Sequence, residues 1–350
     1  MNKNGYCSRI QVAPVNSCFS NKKSTPRCNT GVDGSGEAFM KIPENILQFD
    51  CNVKQIAAVT NERANWLGKI TPYTTETYIR EISSVYKSAA DLEIFNIELN
   101  TGNLQEIKKT IVCLQSSFSG VLLTGINNTA CYQLQNLLRG EMTIPVISEV
   151  TGIAVALGAA VLNVTKIKKK SLNEMRFLSL GNNVLKIAAL QQLFLLGADP
   201  SMMFSSKNGG FEYASYASMF TDLLIVFDFQ IDYIRRIVME LPAKPILFFL
   251  NRNLNHYIPS IVKFRPDALI ITLDSKRKNS LNAALSCPYL LRAAMDQKSK
   301  HITSAMLKSA SVSLAGLLSS KSVTETNRLL PDVEDKRLKL ILDRLNIIYD

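Results

Sequence analysis

The chain has 350 residues, enough for two domains of ordinary size, and 47% of them are hydrophobic, which excludes a disordered chain. Its seven cysteines form no C-x-x-C pair, and with only His256 and His301 beside them there is no zinc constellation; an odd, scattered set reads as reduced thiols. The net charge of +11 admits anionic partners such as nucleic acid, but the plainer reading is a basic organellar protein with a basic leader, because the lysines gather into no aromatic-interleaved patch. The tightest basic clusters, Lys166 to Lys170 and Lys276 to Lys278, fall in expected connections.

Residues 1–38 read as a basic leader. They carry Lys3, Arg9, Lys22, Lys23 and Arg27, recurring serines and no acid before Asp33, the composition of an organellar transit peptide or a disordered tail. Folded structure is expected from near Phe39. From Glu93 onward short β-rich runs alternate with amphipathic stretches. Strands are expected at Glu93–Leu99, Gly120–Thr124, Ile144–Ile147, Arg176–Leu180, Met202–Phe204, Leu223–Phe227, Pro245–Leu250 and Ala268–Leu273. Helices are expected at Leu104–Leu114, Ala130–Leu138, Gly152–Thr165 and Asn183–Leu196, then Ser280–Asp296, His301–Leu318 and Pro331–Leu345. Alternation of this kind predicts an α/β fold with parallel sheets, and runs such as LLIVF and ILFFL suit strands buried on both faces. The longest apolar run, Gly152 to Val164, is too short to span a bilayer.

The strand–turn–helix at 176–196 is where a dinucleotide phosphate loop would lie. Such a loop wants G-x-G-x-x-G, so that the chain can turn tightly, approach the pyrophosphate and pack helix on strand. Here it reads Gly181-Asn182-Asn183-Val184-Leu185-Lys186. Only the first glycine is present. Asn183 stands where the pyrophosphate approaches, Lys186 stands at the packing contact, and the acid expected for the ribose falls at Ser205. The fold is Rossmann-like; the loop is a poor dinucleotide binder.

Three runs resemble the malic enzymes. Ile111–Asn163 (IVCLQSSFSGVLLTGINNTACYQLQNLLRGEMTIPVISEVTGIAVALGAAVLN) is similar to the family's E-P-T-F-G-G-I-N-L-E-D-I and I-P-V-F-H-D-D-Q-H-G-T-A segments and the helix after them. Lys278–Asp296 resembles P-N-Q-x-N-N-x-L-A-F-P-G-x-x-R-G-A-L-D, and Leu329–Leu345 resembles the family's I-I-P-x-x-F-D-P-R and closing helix. The resemblance implies an N-terminal domain over 39–148, a Rossmann-like NAD-binding-type domain over 149–318, and a linker and C-terminal helix over 319–350 that returns to the first domain.

It also implies what is missing. Thr124 and Gly125 stand where the family's metal-binding Glu-Asp pair should be, so Glu149 is the one remnant ligand; its plainer reading is a solvated loop acid. Tyr73 matches the family's catalytic tyrosine, but the lysine partner falls near Ile82, and Lys87 cannot be assumed to replace it. Gly181, Asn251 and Asn282 are the cofactor-site remnants, with Arg252 and Ala283 replacing their neighbours. Arg292 and Asp296 match scaffold positions. The reading is therefore a malic-enzyme-like pseudoenzyme that needs no cofactor and acts as a structural or regulatory subunit, as a homo-oligomer or within a larger assembly, without a membrane span, in a mitochondrion or related organelle or else in the cytoplasm. An active, diverged malic enzyme using NAD or NADP with Mg or Mn is the alternative, and a nucleic-acid-associated basic protein is a further one.

Overall fold

A computed structural model describes residues 54–61, 75–206, 211–275 and 277–347, together with strand segments 12–14, 30–32 and 38–40. In chain order the first part comprises β1 (Val12–Pro14), β2 (Thr30–Val32), β3 (Ala38–Met40), β4 (Lys54–Asn61), α1 (Thr75–Ala90), β5 (Leu92–Leu99), α2 (Leu104–Leu114), β6 (Gly120–Leu123), α3 (Asn128–Leu138) and β7 (Val146–Ser148). Its sheet runs β1-β5-β4-β6-β7. β4 pairs in parallel with β5 along all of Lys54–Asn61 and with β6 from Ile56 to Val59; β1 closes the edge antiparallel, Val12 opposite Ile97. The stretch read from sequence as a basic leader thus contributes a strand to the first sheet, where sequence reading placed the start of folded structure near Phe39.

α4 (Glu149–Lys168) leads to the second sheet, built from β8 (Phe177–Leu180), α5 (Val184–Leu196), β9 (Met203–Ser206), α6 (Phe211–Ser218), β10 (Leu223–Val226), α7 (Ile231–Glu240), β11 (Ile246–Phe249), α8 (Ile258–Phe264) and β12 (Leu269–Thr272). Its order is β12-β11-β10-β8-β9, every pairing parallel. The order reverses between β8 and β10, and in open parallel sheets ligands enter at the carboxyl ends of strands flanking such a switch. Strands β8, β10 and β11 are fully buried, as uninterrupted apolar runs require between two helical layers. α9 (Cys287–Asp296), α10 (Ser304–Gly316), α11 (Ser320–Thr326) and α12 (Leu340–Asn346) complete the chain, with α12 against α9 and α10.

α4 is the shared core of the molecule. At 20 residues it is long and apolar enough to cross a membrane by length and composition, longer than the run read from sequence, but most of it is buried within the protein, as a core helix would be. It packs on α3, α5, α10 and α11. Small residues set that closeness: a Cβ on Gly152 would lie 2.4 Å from Cys287 Sγ, and one on Gly158 would lie 2.7 Å from Leu196 Cδ1. Polar side chains pin it as well. Ser286 Oγ donates to Gly152 O, Ser311 Oγ to Val155 O and Asn163 Nδ2 to Leu329 O. Its last turn holds part of the basic cluster read as a connection: Lys166 donates to the carbonyls of Ala315 and Leu318, and beyond the helix Lys170 pairs with Asp222 at 2.7 Å.

Candidate functional site

The carboxyl ends of parallel strands in the two sheets bring Thr124, Gly125, Glu149 and Arg252 together. Thr124 follows β6, Glu149 follows β7 and Arg252 follows β11. Glu149 is not a loop acid. Ser148 caps α4 by accepting the Thr151 N–H, which makes Glu149 the first helical residue, where the helix dipole favours a negative charge. The phenol of Tyr78 on α1 donates to Glu149 Oε1, and Thr124 Oγ1 donates to the Tyr78 oxygen at 3.5 Å.

Enclosure raises the pKa of the Glu149 carboxyl above the ordinary value; the hydrogen bonds from Tyr78 and Thr124, the Arg252 charge and the Gly125 N–H pull the other way without cancelling it. The same enclosure, with the Glu149 charge beside it, holds the Tyr78 phenol well above its ordinary value, so it stays a donor at neutral pH. Two thiols sit in the field of this carboxylate. Burial pushes Cys287 up to about 12 and raises Cys131 further, so both remain protonated and unreactive.

This donor set does not fit a divalent cation. Hard cations want several oxygen ligands, and here one carboxylate has an oxygen taken by a phenol. Among the described residues no group of three or more His, Cys, Asp or Glu side chains comes together.

The dinucleotide loop is filled from within. Gly181 has φ 86°, and a Cβ there would fall 1.8 Å from the Asp228 carbonyl oxygen, so only glycine fits the turn. Asn183 caps α5: its Oδ1 accepts the backbone N–H of Lys186 at 3.1 Å, and its Nδ2 donates to Phe227 O at 3.2 Å. That N–H is one a pyrophosphate would use at a helix N-terminus. Lys186 itself is buried, its ammonium donating to Gly181 O at 2.9 Å and Ser205 Oγ at 2.7 Å. The side chain therefore spans from the phosphate loop to the ribose-end position of β9. The residues present do not fit a dinucleotide bound in the usual way.

The remaining sequence candidates do local work. Asn251 and Asn282 each cap a 3-10 turn, accepting from Asn253 N and Ala284 N at 2.9 Å. Arg292 pairs with Asp296 and donates to Ala90 O, while Lys54 pairs with the same Asp296, tying α9 to the first sheet. Ile82 packs on the core, and Lys87 is engaged by Asp91 and Glu93, away from any acid–base role. Tyr73 lies outside the described residues. Tyr78, which sequence reading passed over, is the tyrosine that reaches Glu149; its signal was the helical spacing Tyr78, Ile82, Tyr86 on the inward side of α1.

No protein-family profile matches the chain. It is 23% identical over 336 residues to an NAD-dependent malic enzyme of Rhizobium meliloti, covering 88% of this chain and 43% of that protein. It is 25% identical over 334 residues to a bifunctional malic/malolactic enzyme of Bacillus subtilis, covering 87% and 81%. The chain thus spans less than half the length of the first of these relatives. Among solved structures, the NAD-dependent malic enzyme of Thermotoga maritima superposes with a TM-score of 0.70 at 23% identity over 84% of each chain. The malic enzyme of Entamoeba histolytica gives 0.72 at 18% identity, over 84% of this chain and 68% of that one. These likenesses establish the fold.

Proposed function

We propose that this chain, a homologue of the malic enzymes that shares their fold, does not oxidise and decarboxylate malate but serves as a structural or regulatory subunit. The observation that carries this reading is Lys186, buried with its ammonium on Gly181 O and Ser205 Oγ, where a dinucleotide would have to enter. The single phenol-bound carboxylate at Glu149 supports it, because decarboxylation in this family draws on a metal to polarise the substrate. The apolar, closely packed scaffold is kept, as a subunit of an assembly requires. Sedimentation of purified protein at micromolar concentration is expected to show a self-associated species or a stable complex with a copurifying partner; a lone monomer would count against the subunit role.

A second reading, an active diverged malic enzyme using NAD or NADP, is favoured by Tyr78, Glu149 and Arg252 meeting at the carboxyl ends of the sheets, as an acid–base and carboxylate-binding set would. The two separate in one assay. Purified protein with malate, Mn and either NAD or NADP is expected to form no reduced cofactor; turnover near one per second, an ordinary enzyme rate, would establish the second reading.

A further inference from the structure

On the side of α4 that bears Thr151 and Ala154, a cavity of about 330 Å³ opens between α3, α4, α5 and the start of α10. That is within the range of small-ligand pockets. Val146, Ala188 and Leu307 are among its apolar lining residues. Its charged lining is of one sign: Arg139 and Lys300 contribute, and no Asp or Glu does, among the described residues. Neither Arg139 nor Lys300 makes an ion pair with a described residue. The nearest acid in sequence, Glu141, is held by Lys108. Ser304, the first residue of the 13-residue helix α10, also lines the cavity and adds the positive end of its dipole.

We infer that this cavity is a binding site for a small organic anion, a carboxylate- or phosphate-bearing molecule with an apolar part. Two cations without an ion-pair partner among the described residues, beside a helix N-terminus, recognise the anionic group, and the apolar lining residues take the rest. The wall of the cavity leads to the candidate functional site. Gln135 lines the cavity, and its Oε1 accepts from Ser148 N at 3.0 Å and Thr151 Oγ1 at 2.9 Å, the residues on either side of the Glu149 turn. The site stands whether or not the chain turns over malate.

The test uses full-length protein and three probes, inorganic phosphate, pyrophosphate and citrate, titrated at constant ionic strength against chloride, with melting temperature and calorimetric heat as readouts. At least one probe is expected to give a saturable rise in melting temperature at millimolar concentration or below. The double variant R139E/K300E, altered at two exposed positions, is expected to melt as the parent does without probe and to need at least tenfold more probe for half-saturation. The control K263E, an exposed lysine on α8, is expected to behave as the parent. Absence of a saturable response to all three probes, an unchanged response in the double variant, or an equal loss in the control each overturns the proposal, the last by reducing it to general charge screening.

Discussion

Replacing Lys186 by alanine tests whether its ammonium fills the dinucleotide loop in solution. The side chain is 6% exposed and donates to two acceptors, Gly181 O and Ser205 Oγ. K186A removes three buried methylenes, at about 0.8 kcal/mol each, and leaves two acceptors short of a donor at about 1 kcal/mol apiece. Release of a buried charge offsets part of this, so a net loss of about 3 kcal/mol is expected. For a 350-residue chain unfolding as one unit, this lowers the melting temperature by about 4 °C. Differential scanning calorimetry reads it. Dinucleotide binding is not expected to return in this variant, because the Asn183 side chain still takes the backbone N–H of position 186. A melting temperature within about 1 °C of the parent would mean that the ammonium lies in solvent. The loop would then be open, and the main support for the pseudoenzyme reading would be gone.

Glu149→Gln gives a pH-dependent outcome. Burial raises the carboxyl pKa in the folded state, so the stability contributed by the protonated form is full below the unfolded pKa and is lost as pH rises through the raised value. The amide does not titrate, and E149Q is expected to gain on the parent in urea unfolding as pH rises from the ordinary carboxylate range through the raised value; a difference that does not vary with pH would refute the enclosure of this carboxylate. Gly152→Ala drives a methyl into Cys287 Sγ and Ala283, and about 1–3 kcal/mol of destabilisation is expected. Adding Cys287→Ala should recover part of that loss, and strictly additive effects of the two changes would mean the close contact is not made.

Much of the fold was legible because buried parallel strands advertise themselves. GVLL, LLIV and ILFF read as strands and are strands. β4 was missed, although it is the middle strand of its sheet: KQIAAVTN opens and closes on polar residues and carries two alanines, so neither an apolar run nor an alternation stands out. The segment Ser280–Asp296 was read as one helix, but Asn282 caps a separate 3-10 turn and Pro288 sits in the first turn of α9, where its missing N–H costs nothing. The loss of the phosphate-loop glycines could be read from sequence, whereas the destination of Lys186 could not: a lysine at that spacing fits an exposed helix as well as a buried one. Glu149 was visible, but its enclosure depended on Tyr78, 71 residues earlier, and such long-range pairing leaves no local pattern.

The burial of α4 also governs the order in which the molecule can be assembled on the ribosome. The helix is complete at Lys168, yet α10, against which it packs, begins only at Ser304. At about 5–20 residues per second, α4 waits roughly 7–30 s for that partner. Until residues 283–296 emerge and cover its first turns, an apolar helix long enough to be mistaken for a membrane anchor is covered by the elements made before it and by α5. Chaperone or targeting factors that recognise such segments have their opportunity during synthesis, and the opportunity closes once residues 304–316 emerge and dock.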